Sequence, residues 1–111
     1  MNRGEVWWVE HPVQGRRPFL VLTRQAVIPV VRKVTVAPAT TRVRGIPSEV
    51  PLSTDDGMPA DCVLNFDNLA VLHKSLFVER ICQLSPVRMV QACRALSVAV
   101  GAERREVSSP V

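Results

Sequence analysis

Three pairs of neighbouring side chains in this 111-residue sequence carry groups that can act on a phosphate. They are Arg16 with Arg17 beside a turn glycine, Thr40 with Thr41 at the end of an apolar run, and Asp67 with Asn68. A guanidinium binds phosphate oxygens through paired N–H donors, and a hydroxyl adds one neutral donor. The sequence has no Walker, GxGxxG, HExxH or GxSxG motif, so it does not indicate the enzymes that these motifs mark.

The positive charge of the sequence is concentrated in one stretch. Fourteen Lys and Arg against ten Asp and Glu give a net charge of +4 and a pI near 9.6. Between Pro12 and Ser48 there are seven basic residues and no acidic one. They are Arg16, Arg17, Arg24, Arg32, Lys33, Arg42 and Arg44. Such a stretch creates a positive field that attracts polyanions, so a nucleic acid is the expected partner; a solvated basic face is the alternative.

The cysteine and hydropathy patterns argue against several other classes of protein. The three cysteines are odd in number and form no C-x-x-C pair, and only two histidines could join them. A structural zinc site needs four ligands, usually in close pairs, so we expect no metal, no cofactor and no disulfide scaffold. No apolar run reaches the ~18 residues of a transmembrane helix, and acidic residues interrupt the first ten positions where a signal peptide is apolar. We therefore expect no membrane association and a cytoplasmic location.

The elements that must position these side chains are mainly strands. Runs rich in β-branched and aromatic residues, separated by turn residues, predict strands in 4–10, 18–24, 33–41, 48–53, 62–66 and 77–84. Pro38 indicates an edge or a bulge in its strand, and Pro51 indicates an edge. Residues 67–76 are expected to be a connection that holds a helical turn.

A change of period near the C-terminus predicts one closing helix. Ser85 is a favoured N-cap, Pro86 a favoured first residue, and Gly101 a favoured stop. An apolar stripe follows at helical spacing through Met89, Cys93, Leu96 and Val100. Several short strands and then one helix predict a small, strongly bent antiparallel sheet or barrel with the helix packed on it. This single domain is expected to span 1–101, with 102–111 as a flexible tail.

Four segments in order resemble the MazF/PemK family of toxin endoribonucleases. They are GEVWWV, RRPFLVLT, VAPATT and CVLNFDN, and LSP before the closing helix fits as well. The resemblance covers about residues 3–101. It implies a small SH3-like β-barrel closed by a C-terminal amphipathic helix, and a homodimer that cuts single-stranded RNA without a metal or cofactor. It also implies a cognate antitoxin that inhibits the toxin.

The resemblance assigns roles to individual residues. Arg17 matches the catalytic arginine of the family, Thr40 matches the threonine that bonds the scissile phosphate, and Asp67 with Asn68 matches an acid–amide pair that some members use. The expected catalytic residues are Arg17, Thr40 and Asp67, with His11, Glu10 and Thr41 as further candidates. The expected RNA-binding residues are Arg16, Arg42, Arg44 and Asn68.

The sequence departs from the family pattern at two positions near these residues. Val13 stands where many members carry an acid or a histidine, and Asn65 replaces an arginine that some members use. The general base is therefore left open. Two other functions remain alternatives: a toxin of the same fold that binds a protein such as a topoisomerase without cutting RNA, and a non-catalytic SH3-like binding module.

The expected charge of the RNA groove also predicts the chemistry of the inhibitor. A positive groove lined partly by apolar side chains should accept an acidic, flexible segment with a few hydrophobic anchors. We expect the antitoxin to present such a segment.

Overall fold

A computed structural model describes residues 1–102 of the chain, so the expected flexible tail lies, except for Ala102, outside the described residues. The strands are β1 Glu5–His11, β2 Gly15–Val21, β3 Lys33–Thr40, β4 Glu49–Leu52, β5 Cys62–Asn65, β6 Ala70–His73 and β7 Phe77–Gln83, and the helix is α1 Pro86–Ala99. Short 3₁₀ helices cover Gln25–Val27, Thr54–Asp56, Phe66–Asn68 and Lys74–Leu76. None of the helices in residues 1–102 is both long and apolar enough to cross a membrane.

All paired strands run antiparallel in a sheet of order β4-β5-β3-β2-β1-β7, and β6 pairs separately with β3. The predicted mainly β fold with one C-terminal helix is confirmed. Among the described residues no ladder joins β4 to β7, so hydrogen bonds do not close the sheet into a complete barrel.

Pro38 lies in a central strand because β3 changes partners at that point. Residues 33–36 of β3 pair with β6, whereas Ala39 and Thr40 pair with β5. Proline has no N–H to donate, and it occupies the gap between the two ladders. The structure thus gives a different reason for Pro38 than an edge or a bulge. Pro51 lies on β4, which is the edge strand that the sequence predicts.

The expected connection with a helical turn in residues 67–76 is correct for the turns, which are 3₁₀ helices, but it misses a strand. The segment contains β6, which pairs Ala70 with Val36 and His73 with Lys33. Its alternation covers only three residues, the exposed Val71, the buried Leu72 and the exposed His73, and 3₁₀ helices flank it. Such a short pattern resembles a loop in sequence, and tertiary pairing with β3 decides its conformation.

The helix packs on the sheet through a smaller face than the sequence predicts. Ser85 caps it as expected, since its side chain accepts the Arg88 N–H. Ala92 and Ala95 are its buried residues, with Met89 and Leu96 partly buried against the same core. The other two residues of the predicted stripe, Cys93 and Val100, are exposed. The buried face is thus centred on the two alanines, with Met89 and Leu96 beside them.

Candidate active site

A polar cleft of about 530 Å³ opens where the β1–β2 hairpin, the end of β3, the loop 41–48 and the segment 65–70 meet. Its walls come from residues distant in sequence, which the sheet brings together. They are His11, Gln14, Arg17, Phe19, Pro38, Thr40, Arg42, Arg44, Asn65, Asn68, Leu69 and Ala70. The cleft therefore collects basic and neutral polar groups, and no carboxylate of the described residues lines it.

The β1–β2 hairpin fixes the orientation of His11. His11 pairs with Gly15, so the loop between them has three residues, and Gly15 has the positive φ of 75° that this type of turn favours. The Nδ1 atom of His11 accepts the backbone N–H groups of Val13 and Gln14 at 3.1 and 3.0 Å. Because Nδ1 is an acceptor here, the ring hydrogen of this conformation is on Nε2. His11 lines the cleft, and its Nε2 has no hydrogen-bond partner among residues 1–102.

Arg17 reaches the cleft from β2 with its guanidinium almost free. Its one hydrogen bond to a described residue joins Nε to the backbone carbonyl of Gln14, at 3.4 Å. The two terminal nitrogens have no partner among residues 1–102, and the residue is exposed. These paired donors have the fork geometry that binds a phosphate.

Arg16, the neighbour of Arg17, is held on the opposite face of the strand, as strand alternation requires. Its Nη2 lies 3.1 Å from Glu79 Oε2, its Nη1 lies 3.8 Å from Glu10 Oε1, and its guanidinium lies 5.1 Å from the centre of the Trp8 ring. Arg16 and Glu10 are therefore paired with each other outside the polar cleft. Their expected roles in RNA binding and catalysis stay predictions.

Thr40 occupies the end of β3, on the wall of the cleft. Its Oγ1 accepts the backbone N–H of Arg42 at 3.1 Å, so the hydroxyl hydrogen remains available to donate. Arg42 and Arg44 follow in the loop, and neither forms an ion pair with a described residue. Together with Arg17 they give the cleft three guanidinium groups without a compensating acid.

The segment after β5 contributes amides rather than a carboxylate. Asn65 is buried, and its Oδ1 accepts the backbone N–H of Asp67 at 2.9 Å, which leaves its NH₂ group free to donate. Asp67 itself accepts a hydrogen bond from the Ser48 hydroxyl and does not line the cleft. Asn68 does line it. Of these two neighbours in sequence, Asn68 therefore belongs to the cleft wall and Asp67 does not.

An apolar pocket of about 320 Å³ adjoins the polar cleft. It shares Gln14, Arg17 and Thr40 with the cleft, so these residues form a common wall between the two. The rest of its lining is Trp8, Arg16, Pro18, Ala39, Thr41, Met58, Pro59, Ala60 and Cys62. Burial, with smaller effects from Asp56 and Asp61, raises the pKa of the Cys62 thiol, so this cysteine is protonated at neutral pH and packs rather than reacts.

Six of the residues that the sequence predicts for the site come together in the polar cleft. They are Arg17, Thr40, His11, Arg42, Arg44 and Asn68. Sequence reasoning missed Gln14, and it treated Asn65 only as a departure from the family pattern. The signal for Gln14 was the glycine of the hairpin, which sets the loop length and hence places Gln14 beside Arg17.

Comparisons with known proteins identify the family of the chain. The family model described as "PemK-like, MazF-like toxin of type II toxin-antitoxin system" matches residues 2–100. The chain belongs to this family. Its relatives include the probable endoribonuclease MazF5 of Mycobacterium tuberculosis, which is 44% identical over 92% of this chain and 94% of the relative. The probable endoribonuclease MazF2 of the same species is 42% identical over 91% and 99%.

Solved MazF-like structures share the fold. One is described as an endoribonuclease in complex with its cognate antitoxin from a mycobacterial species; it has a TM-score of 0.86 at 25% identity, over 95% of this chain and 99% of that one. The Mycobacterium tuberculosis toxin MazF-mt6 has a TM-score of 0.81 at 30% identity, over 87% and 96%. The MazF/PemK resemblance that the sequence indicates is thus confirmed over nearly the whole chain.

Proposed function

We propose that this MazF-like toxin is an endoribonuclease that cuts single-stranded RNA, without a metal ion, at the wall formed by Arg17 and Thr40. The observation that carries the proposal is the placement of these two residues between the polar cleft and the apolar pocket. An exposed guanidinium and a free hydroxyl stand there together, with Arg42 and Arg44 close by in the same cleft. The naming of relatives at 42–44% identity as probable endoribonucleases supports the same activity.

RNA supplies its own nucleophile, the 2′-hydroxyl next to the scissile phosphate. Its proton is transferred to a base, O2′ bonds to phosphorus, the P–O5′ bond breaks, and the leaving O5′ takes a proton. The products are a 2′,3′-cyclic phosphate and a 5′-hydroxyl. Arg17 stabilises the charge that grows on the phosphate oxygens, and Thr40 donates one further hydrogen bond. His11 and Asn65 line the same cleft and are further polar groups that can contact the bound RNA.

The shape of the site favours an unpaired strand over a duplex. The strand crosses the common wall, with its phosphates toward the arginines of the polar cleft and a base toward the apolar pocket. Bases must be unstacked to enter such pockets, and single-stranded regions allow this at low cost. Open segments of messenger, ribosomal or transfer RNA all fit this requirement.

The proposal includes a cytoplasmic homodimer and a cognate antitoxin. One related structure is an endoribonuclease bound to its cognate antitoxin, and a positive cleft suits an acidic segment. Arg42→Glu and Arg44→Glu should then weaken the binding of RNA and of the acidic segment together. Light scattering at micromolar concentration should give a mass about twice the 12.3 kDa of the chain.

The activity is tested with purified protein, a long RNA transcript and EDTA. Cleavage should persist in EDTA, and the cut sites should carry 5′-hydroxyl ends. A short RNA spanning one mapped site, with 2′-deoxyribose at the nucleotide before the cut, should resist cleavage because it lacks the nucleophile. Cleavage of that deoxy substrate, or activity only with added divalent ions, would refute this mechanism.

A further inference from the structure

Glu49 is a buried carboxylate whose partners are backbone groups of the loop that carries Arg42 and Arg44. It is the first residue of β4 and is 8% exposed. Its Oε1 accepts the N–H of Arg44 at 3.0 Å and the N–H of Gly45 at 2.9 Å. Neither sequence motifs nor the lining of the cleft single out this residue.

The loop has little else to fix its conformation. Residues 41–47 are all exposed and have no regular strand or helix structure. The Thr40 hydroxyl holds the start of the loop through the Arg42 N–H, and the Ile46 carbonyl accepts the Glu49 N–H at 3.0 Å near its end. Between these two points, at Arg44 and Gly45, the backbone of the loop is bound by the Glu49 carboxylate.

The partners of Glu49 differ from those of the ion-paired acids in residues 1–102. Glu5 pairs with Arg80, and Asp56 pairs with Arg88. Glu49 forms no ion pair, and its Oε2 is buried without a hydrogen-bond partner among the described residues. A buried oxygen of this kind is costly, so a compensating role for the carboxylate is expected.

We propose that Glu49 is a positioning residue: its Oε1 fixes the loop so that the guanidinium groups of Arg42 and Arg44 face the RNA cleft. This role rests on the proposed function of the cleft. A loop without this anchor would sample many conformations, and RNA binding would have to order it again. Because phosphate contacts of this kind act on bound substrate and transition state alike, their loss raises KM and leaves kcat nearly unchanged.

Two substitutions separate the reach of the side chain from its charge. Glu49→Gln keeps the acceptor oxygen at the same distance and removes the charge. Glu49→Asp keeps the charge and withdraws the carboxylate by one methylene group. A positioning role predicts that Gln retains function and Asp does not, whereas a role that depends on the carboxylate charge predicts the reverse order.

The first measurement is steady-state cleavage of a short RNA by each variant. Glu49→Asp should raise KM about tenfold with kcat within about threefold of wild type, and Glu49→Gln should stay close to wild type in both. Asp55→Ala is the matched control, because it removes an exposed negative charge away from the cleft. Wild-type kinetics for Glu49→Asp, or a larger defect for Gln than for Asp, would overturn the proposal.

The second measurement needs no RNA and therefore separates this proposal from the proposed function. Amide proton exchange by NMR should be at least tenfold faster at Arg44 and Gly45 in Glu49→Asp, and unchanged in Glu49→Gln. If the wild-type protein cuts no RNA, the proposed function fails and the exchange rates alone decide the loop anchor. If Glu49→Asp does not fold, Glu49→Gln decides: slow exchange at both amides supports the anchor, and fast exchange refutes it.

Discussion

Arg17→Ala should remove catalysis while leaving the fold intact. The side chain is exposed, and its hydrogen bond to the Gln14 carbonyl is long, at 3.4 Å. Such a contact contributes little, so the free energy of unfolding should change by less than about 0.5 kcal/mol. Removing one donor that stabilises the transition state commonly lowers kcat about 100- to 1000-fold. That corresponds to about 3–4 kcal/mol of activation free energy.

The assay is single-turnover cleavage of a short RNA in EDTA, run beside a thermal melt followed by circular dichroism. Arg24→Ala is the control, because Arg24 is an exposed arginine of the same basic stretch and does not line the cleft. It removes the same charge and should leave the cleavage rate within about threefold of wild type. Arg17→Lys should fall between wild type and Ala, since lysine keeps the charge but loses the planar pair of donors. A folded Arg17→Ala protein that cuts at the wild-type rate would refute the assignment.

Three further predictions test other parts of the structure. Thr40→Val should lower the cleavage rate at least about tenfold while Thr40→Ser retains it, because serine keeps the hydroxyl that donates. Arg88 holds the pKa of Asp56 below its ordinary value of 3.8; Asp56→Asn should therefore cost about 1–3 kcal/mol of stability at neutral pH, and its melting temperature should converge with wild type as pH falls below 3.8. Gly57→Ala should destabilise by about 2–4 kcal/mol, because its Cβ would lie 2.7 Å from Cys82 Cβ at a φ of 95°. In Gly15→Ala, which has open space at a φ of 75°, only the backbone cost of about 1 kcal/mol is expected in the same melt.

Local signals made much of the fold predictable from sequence. Alternating β-branched and apolar residues mark most strands, and Ser85 with Pro86 marks the helix start, because these preferences depend on neighbouring residues alone. The prediction that Arg17 and Thr40 lie in one site follows from the family resemblance and not from their spacing in the sequence. The strand β6 was missed because its four residues become a strand only through pairing with β3.

The partners of the acidic residues were beyond sequence reasoning for a different reason. Asp67 stands beside Asn68 and next to a strand end, which suggested a place in the site. Its actual partner is the Ser48 hydroxyl, 19 residues earlier in the chain. The register between β4 and β5 determines which acceptor oxygen lies beside which donor. In this register Glu49 lies opposite Asn65. A sequence pattern shows that an acid is present, and only the register shows what it binds.

The hydrogen-bond partners of the acidic residues explain how a chain with a net charge of only +4 has a strongly positive cleft. In residues 1–102 the arginines with carboxylate partners are Arg16, Arg80 and Arg88, and none of them lines the polar cleft. Two acids lie next in sequence to parts of the cleft wall, Glu49 after the loop 41–48 and Asp67 within the segment 65–70. Glu49 binds backbone N–H groups, and Asp67 binds a hydroxyl. Their charge is thus held by neutral donors, and the guanidinium groups of the cleft stay free for phosphates. Because cationic side chains that bind phosphates release counterions from the RNA, affinity should depend steeply on salt through the cleft arginines.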